Sequence, residues 1–222
     1  MKVGQRLTEW GVILFHVYLV KTPIVRYNYM LIATVALYIA TKMDAPKQSK
    51  PFIDYINNKR FPKSPEKTFD STKSDFFELE LKILIELDFD FEIPVPRTYL
   101  INFDVNYKSK ACDRYIYLYG VSEDRLLVFD QIWAFFIDVT SKLLNDTSYA
   151  PLWLYYHPAT IWAACLIFTQ TYFTTWKQEF ISPILNKGWH EYVHKDLNSN
   201  TVEECALEIE DLFKKVENFK KP

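Results

Sequence analysis

The residues with the sharpest chemical signature are His190-Glu191-Tyr192-Val193-His194, which fit the pattern H-E-x-x-H. On a helix, imidazoles four positions apart share a face and can hold Zn²⁺ while the adjacent carboxylate activates a bound water, which is the arrangement of a zinc metalloprotease. Such a protease needs a third ligand, and the nearest carboxylates, Glu204 and Glu208, follow only a turn and a few residues later. No segment reads as a sheet edge that would align a peptide. The competing reading is a surface helix opened after Gly188, with Trp189 and Val193 turned to the core. No glycine-rich phosphate loop and no nucleophile with an oriented base is found elsewhere, so catalysis has no other candidate and no cofactor is expected.

A second feature is a charge pair of unusual placement. Lys42 ends an apolar run that otherwise carries no charge, and Glu80 lies on the side of its helix shared with Phe77 and Leu84. A charge at such a position must be partnered or exposed. The plainer alternative is a lysine whose stem lies along apolar surface and a solvated glutamate. Weaker signals are Ser64-Pro65, which fits a proline-directed phosphorylation site, and Lys214, Lys215, Lys220 and Lys221, which would assist nuclear import. Cations at a helix C-terminus are also favoured by its dipole alone. His157 before Pro158 reads as a residue that opens a helix.

These side chains must be positioned by a chain of 222 residues with 26 Lys plus Arg and 28 Asp plus Glu, a formal charge of −2. The cationic surplus that drives nonspecific polyanion binding is missing, so no direct nucleic-acid contact is expected. Hydrophobic residues make up 49% and aromatics 17%, with only 4 glycines. That composition fills a large core and leaves little of the turn chemistry that an all-β fold consumes. Cys112, Cys165 and Cys205 are too few and too scattered for a disulfide framework, and no two stand at zinc-ligand spacing, so a reducing compartment fits and no metal is expected. Lys21 and Arg26 interrupt the apolar stretch that begins at Trp10, against a signal peptide. The stretch Thr147–Trp176 is long enough for a membrane span, but Pro151 and Pro158 break it; no membrane partner is expected.

Periodicity predicts an all-α chain. Leu7, Trp10, Gly11, Leu14, Phe15, Tyr18 and Leu19 recur at three and four, marking a helix to Val20. A second helix over 29–43 is apolar on nearly all sides, with Ala33, Ala36 and Ala40 letting neighbours approach, and is expected to be the hub of its bundle. A short helix over 50–57 and a solvated loop over 58–74 follow, then a helix over 74–87 with Phe77, Glu80, Leu81, Leu84 and Leu87 along one side. The tyrosine-rich stretch 100–123 is assigned to a short helix and a connection. From Arg125 the plan restarts, with helices over 126–144, 158–173 and 201–219, the last opened by a Thr201 cap with Glu204 three positions on. Laying Ile32-Ala33 over Ile161-Trp162 also superposes Leu37-Tyr38-Ile39 on Leu166-Ile167-Phe168. Two helical bundles of about 90 residues, each with an apolar hub, follow from this internal repeat.

Three stretches carry a resemblance to a known family. Leu14-Phe15-His16-Val17-Tyr18 and the hub ending Ala40-Thr41-Lys42-Met43-Asp44 look like the F-H-x-[FY] helix and the A-[SGT]-K-x-[ED] helix end of the cyclins. Glu78-Leu79-Glu80-Leu81-Lys82-Ile83-Leu84-Ile85-Glu86-Leu87-Asp88-Phe89-Asp90-Phe91 is similar to their E-x-x-[IVL]-L-x-x-[IL]-x-F-D-[LF] segment, with Pro96 and Leu100 as its tail. The run from Trp133 through Asn145-Asp146 to His157-Pro158-Ala159-Thr160-Ile161 resembles the second box of the transcription-type cyclins (the K, T and L kinds and the fungal partner of the RNA polymerase tail kinase).

The resemblance implies two tandem cyclin boxes of about five helices each: a kinase-binding box over 1–103, a connection over 104–124 and a second box over 125–222. It implies a nuclear, non-catalytic subunit that forms a heterodimer with a cyclin-dependent kinase and activates it toward the RNA polymerase II C-terminal tail. An active kinase needs its β3 lysine paired with the αC glutamate, so a surface that holds αC inward completes the catalytic constellation. Lys42 and Glu80 match the family's interface pair, and Leu84, Phe89 and Phe91 would supply an apolar floor. Tyr38, Phe52, Tyr55 and Ile56 are expected as additional exposed contact surface. The sequence departs from the family in three ways. The helix that precedes the one near Leu7 is truncated or missing, which implies either a wrong start or a groove for a third subunit. No M-R-A-I-L is present, and Thr171 stands where the repeat would place a second Lys42. A divergent cyclin-like scaffold that activates no kinase is the other reading the resemblance leaves open.

Overall fold

The computed structural model describes residues 4–22, 28–44, 47–59, 69–92, 94–176, 185 and 188–219. They form eight α-helices and, among the described residues, no strand: α1 (Gln5–Lys21), α2 (Tyr29–Asp44), α3 (Lys50–Lys59), α4 (Phe69–Glu86), α5 (Arg97–Tyr119), α6 (Glu123–Thr147), α7 (Pro158–Trp176) and α8 (Ser199–Phe219). The chain divides into two compact units, Met1–Ile93 with α1 to α4 and Pro94–Pro222 with α5 to α8. Each therefore holds four α-helices among the described residues, against the five or so expected of each bundle.

In the first unit α2 is the hub and touches α1, α3 and α4. Its nine buried residues run round the helix, from Leu31 and Ile32 to Ala40 and Thr41. A helix with no polar face finds its minimum only when covered on every side. Close approach to α1 is made at Gly11, where a Cβ would stand 3.1 Å from the Leu37 Cα. That neighbour is backbone and yields little. Gly11→Val is therefore expected to destabilise the unit by roughly 1–3 kcal/mol, the usual penalty of overpacking, read as a lower urea midpoint. Lys21 at the end of α1 donates from Nζ to the Glu86 carbonyl at the end of α4, placing a cation at a helix C-terminus whose carbonyls lack partners.

The second unit repeats the plan around α7, which touches α5, α6 and α8. Residues 159–166 are buried without interruption. Its Thr169 hydroxyl is satisfied inside: Oγ1 donates to the Cys165 carbonyl at 2.8 Å and lies 3.1 Å from Thr140 Oγ1, which donates to the Phe136 carbonyl at 2.8 Å. The two hubs also begin alike. Asn28 accepts the Met30 N–H on Oδ1 at 2.9 Å, and His157 accepts the Ala159 N–H on Nδ1 at 3.2 Å. The sequence overlay of residue 32 on 161 and these caps at 28 and 157 share one displacement of 129 positions.

Several elements differ from their sequence reading. The stretch 104–124, assigned to a connection, is mostly helix: α5 buries Phe103, Tyr107, Ala111 and Tyr115 at four-residue spacing. Tyr107 stacks on Phe103 at 4.8 Å, and Trp133 of α6 donates its indole N–H to Asp104 at 2.6 Å. In α4, which begins at Phe69 rather than at Ser74, the core face is Phe76, Leu79 and Ile83, all at 0% exposure, so Phe77 and Leu81 point outward. The cap of α8 is Asn198, whose Oδ1 accepts the Asn200 N–H, and Thr201 is already inside the helix. Between α6 and α7 the apolar stretch 147–176 is broken by a 3-10 turn at Pro151–Leu154. No helix among the described residues is long and apolar enough to cross a membrane. Ser64-Pro65 and Lys220-Lys221 lie outside the described residues.

Candidate partner-docking site

Lys42 stands in the last turn of α2 and Glu80 near the middle of α4, and packing of these helices brings Lys42 Nζ to 2.7 Å from Glu80 Oε1. The pair is asymmetric. The glutamate side chain is 9% exposed and the lysine 46%, so the carboxylate is held inside and the ammonium faces water. The hydrogen bond to Glu80, opposed by burial, raises the Lys42 ammonium above its ordinary value. One turn back on α2, the Tyr38 ring lies 5.3 Å from Lys42 Nζ, a cation–π contact that steadies the lysine. Tyr38 packs in turn on Phe52 of α3 and Phe76 of α4, both at 5.2 Å. Three helices thus anchor one charged pair.

Beside it α4 presents an apolar stripe. Phe77, Leu81 and Ile85 recur every four residues and are 38%, 54% and 54% exposed, and Phe89 just past the helix is 56% exposed. A stripe at this spacing is a single helix face. The ion pair Glu78–Lys82 runs alongside. The helix ends in a Schellman arrangement: the Asp88 N–H donates to the Ile85 carbonyl at 2.9 Å and the Phe89 N–H to the Leu84 carbonyl at 3.0 Å. Asp88 and Phe89 both take left-handed backbone, at φ 51° and 57°. Aspartate tolerates this; a bulky aromatic does not, and the strain is about 1–2 kcal/mol. Phe89→Gly is accordingly expected to raise the stability of the chain by about 1 kcal/mol, measured by urea unfolding, while removing the aromatic from the surface.

Of the residues expected from the sequence, Lys42 and Glu80 are brought together. Phe89 is exposed, and Leu84 and Phe91 are half-buried against the first core. Tyr38, Phe52 and Ile56 are not exposed surface: they are 5%, 3% and 4% exposed and form part of that core, because α3 lays its apolar side on α2 and α4. Only Tyr55 of that group is exposed. Phe77, Leu81 and Ile85 were missed as surface. Their signal was present, since a helix carrying apolar residues at both 76-79-83 and 77-81-85 has one face more than its core needs.

Among the described residues the H-E-x-x-H segment does not form a metal site. Trp189–Tyr192 is a single 3-10 turn, after which the His194 N–H donates to the His190 carbonyl at 3.1 Å, and the two imidazoles pack on different partners. His190 packs on Trp189, whereas His194 packs on Tyr99 and His157, with ring centroids 5.9 and 5.5 Å away. His194 Nδ1 accepts the Asp196 N–H at 3.3 Å, the reverse of a ligating imidazole, which donates from its second nitrogen. No group of three His, Cys, Asp or Glu side chains among the described residues is placed to hold a metal ion.

The histidine pair gives a pH dependence. Burial, then the nearby His194, lowers the His157 imidazole below its ordinary value of 6.5. Protonation also removes the Nδ1 lone pair that caps α7. Because the unfolded chain takes up this proton first, the His157 contribution is complete above about pH 6.5 and is lost as pH falls through the lower folded value. His157→Asn, which keeps the cap as Asn28 does in the first unit, should flatten the fall of the urea midpoint between about pH 7.5 and 5.

No family model matches the chain, and no curated protein matches it. What the fold defines is an all-α chain of two hub-centred helical units, the first carrying a half-open ion pair beside an exposed apolar stripe.

Proposed function

We propose that this chain is a regulatory subunit of the transcription-type cyclin kind, with its two units as tandem boxes, which binds a cyclin-dependent kinase and biases it toward its active arrangement. The substrate of the complex is then the RNA polymerase II C-terminal tail, and its place of action the nucleus. The observation that carries the reading is the Lys42–Glu80 pair at 2.7 Å, standing at a hub-helix end, with Phe77, Leu81 and Ile85 exposed on the helix that carries Glu80 and Phe89 just past its end. A mobile kinase helix is held by charges that grip its exposed backbone end and by an apolar ridge along its side, and the first unit offers both on neighbouring helices. The chain itself supplies no chemistry in this reading. Lys42 is the group that reaches out, Glu80 the buried counter-charge that aims it, and the α4 stripe the ridge. The interface is expected to bury on the order of 2,000 Å².

The test is reconstitution. The purified chain is mixed with monomeric kinases of the transcription and cell-cycle classes, and phosphorylation of a polymerase-tail heptad peptide is measured. Stimulation of at least one transcription-class kinase supports the reading. Stable binding without stimulation points to the divergent scaffold, and neither binding nor stimulation refutes it.

A further inference from the structure

In the second unit α7 and α8 border an open groove of about 480 Å³. Its walls are apolar, with Phe168 and Tyr172 from α7 and Ala206 and Leu207 from α8, and its rim carries Glu203 and Glu210. Phe168 also stacks on Phe213 at 5.8 Å, while Cys205 and Ile209 on the opposite side of α8 are fully buried. Leu207 and Tyr172 are 63% and 51% exposed, too much apolar surface in one concavity for an ordinary solvated helix face.

We infer that this groove docks a helix of a partner protein, with apolar anchors for the floor and basic residues for the rim. Two observations select that occupant. The α8 residues that form the wall, Glu203, Ala206, Leu207 and Glu210, stand at i, i+3, i+4 and i+7, one complete helix face two turns long. A helix lying along that face meets it with its own residues at the same spacing. The second observation is charge. Over Ser199–Phe219, α8 carries six carboxylates and two lysines, a net −4, and both charges on the groove rim are negative among the described residues. Glu203 and Glu210 lie roughly 10 Å apart along the axis, so the partner presents Lys or Arg seven positions apart with Leu-type residues at the third and fourth between them. Lys214 holds Glu210 at 2.7 Å, but this is an exposed pair one turn along the helix. Such pairs are weak and exchange readily. This proposal uses only the second unit and is independent of kinase binding by the first.

The probe is an 18-residue fluorescein-labelled alanine-rich peptide bearing Lys, Leu, Leu and Lys at i, i+3, i+4 and i+7, titrated with the full chain and followed by anisotropy. Saturable binding is expected that weakens at least 10-fold in three cases: on Leu207→Asp, on the double change Glu203→Lys with Glu210→Lys, and when the peptide lysines become glutamates. The glutamate peptide should regain affinity for the lysine double variant, a rescue that a merely structural effect on α8 would not produce. Helical circular dichroism of each variant controls for folding. Absence of saturable binding, binding indifferent to these changes, or partition onto phosphatidylserine vesicles in place of peptide binding would each overturn the proposal.

Discussion

Under the proposed function, exchange of the two charges, Lys42→Glu together with Glu80→Lys, is expected to eliminate kinase activation while the chain keeps its helical content. The reasoning rests on the asymmetry of the pair. Within the chain, the exchanged residues still attract one another across α2 and α4, so the interaction that helps hold the helix ends is retained, and its worth is modest because Lys42 is half exposed. Toward a partner, the exchange reverses the sign of the group that faces outward. In the proposed interface, an ammonium meeting a carbonyl-rich or acidic surface becomes a carboxylate meeting the same surface, and like-charge contacts in a desolvated interface are strongly unfavourable. Central charged anchors of interfaces lose about 2–4 kcal/mol on removal, so affinity should fall by roughly 30-fold to 1,000-fold. Isothermal titration against the responsive kinase measures this directly. A double variant that binds and activates as the parent does would remove the assignment of these residues. Phe89→Gly supplies an independent arm: stability rises while affinity falls, two opposite signs that no general loss of structure produces.

The largest change in stability is expected at Trp162. It is wholly buried in α7 within the second core, and its indole N–H has no hydrogen-bond partner among the described residues. Trp162→Ala removes a large side chain from a site walled by the other helices of the unit and should cost about 3–5 kcal/mol. For a unit of this size that is a fall of roughly 10–20 °C in Tm. Trp162→Phe is the informative comparison. It leaves a smaller cavity and also removes a buried donor whose lack of an acceptor costs about 1–3 kcal/mol, so the two effects oppose and the net loss should stay under about 1.5 kcal/mol. Far-ultraviolet circular dichroism in urea reads both variants, and tryptophan emission reports mainly on this unit, since five of the six tryptophans lie beyond residue 94. If alanine proves no worse than phenylalanine, the packing of α7 is wrong as described.

The Lys42–Glu80 pair and the H-E-x-x-H segment show why one sequence reading found its partners and the other did not. The pair was placed through a resemblance, and the lysine at the end of an uncharged hub marked itself as a group needing a partner. A metal site at the histidines is a local inference that holds only if both rings are free to turn to one ion. Tertiary packing directs them elsewhere, His190 onto Trp189 and His194 onto Tyr99 and His157. A five-residue spacing carries no information about such packing.

The sequence by itself determined the helical class, the two hubs and their common displacement of 129 positions, because a helix apolar on every side has one physical solution, coverage on every side, whoever its neighbours are. It also located the punctuation at Pro158 and Gly188. Only the tertiary structure decided which of two apolar stripes on α4 faces inward, that Tyr38, Phe52 and Ile56 are core, that the tyrosine-rich stretch is the long helix α5, and that α7 and α8 leave a groove. Each of those is a choice between faces or partners that are nearly equal in local propensity. Long-range packing settles such choices, since burying one stripe fixes the rotation of the whole helix and exposes the other.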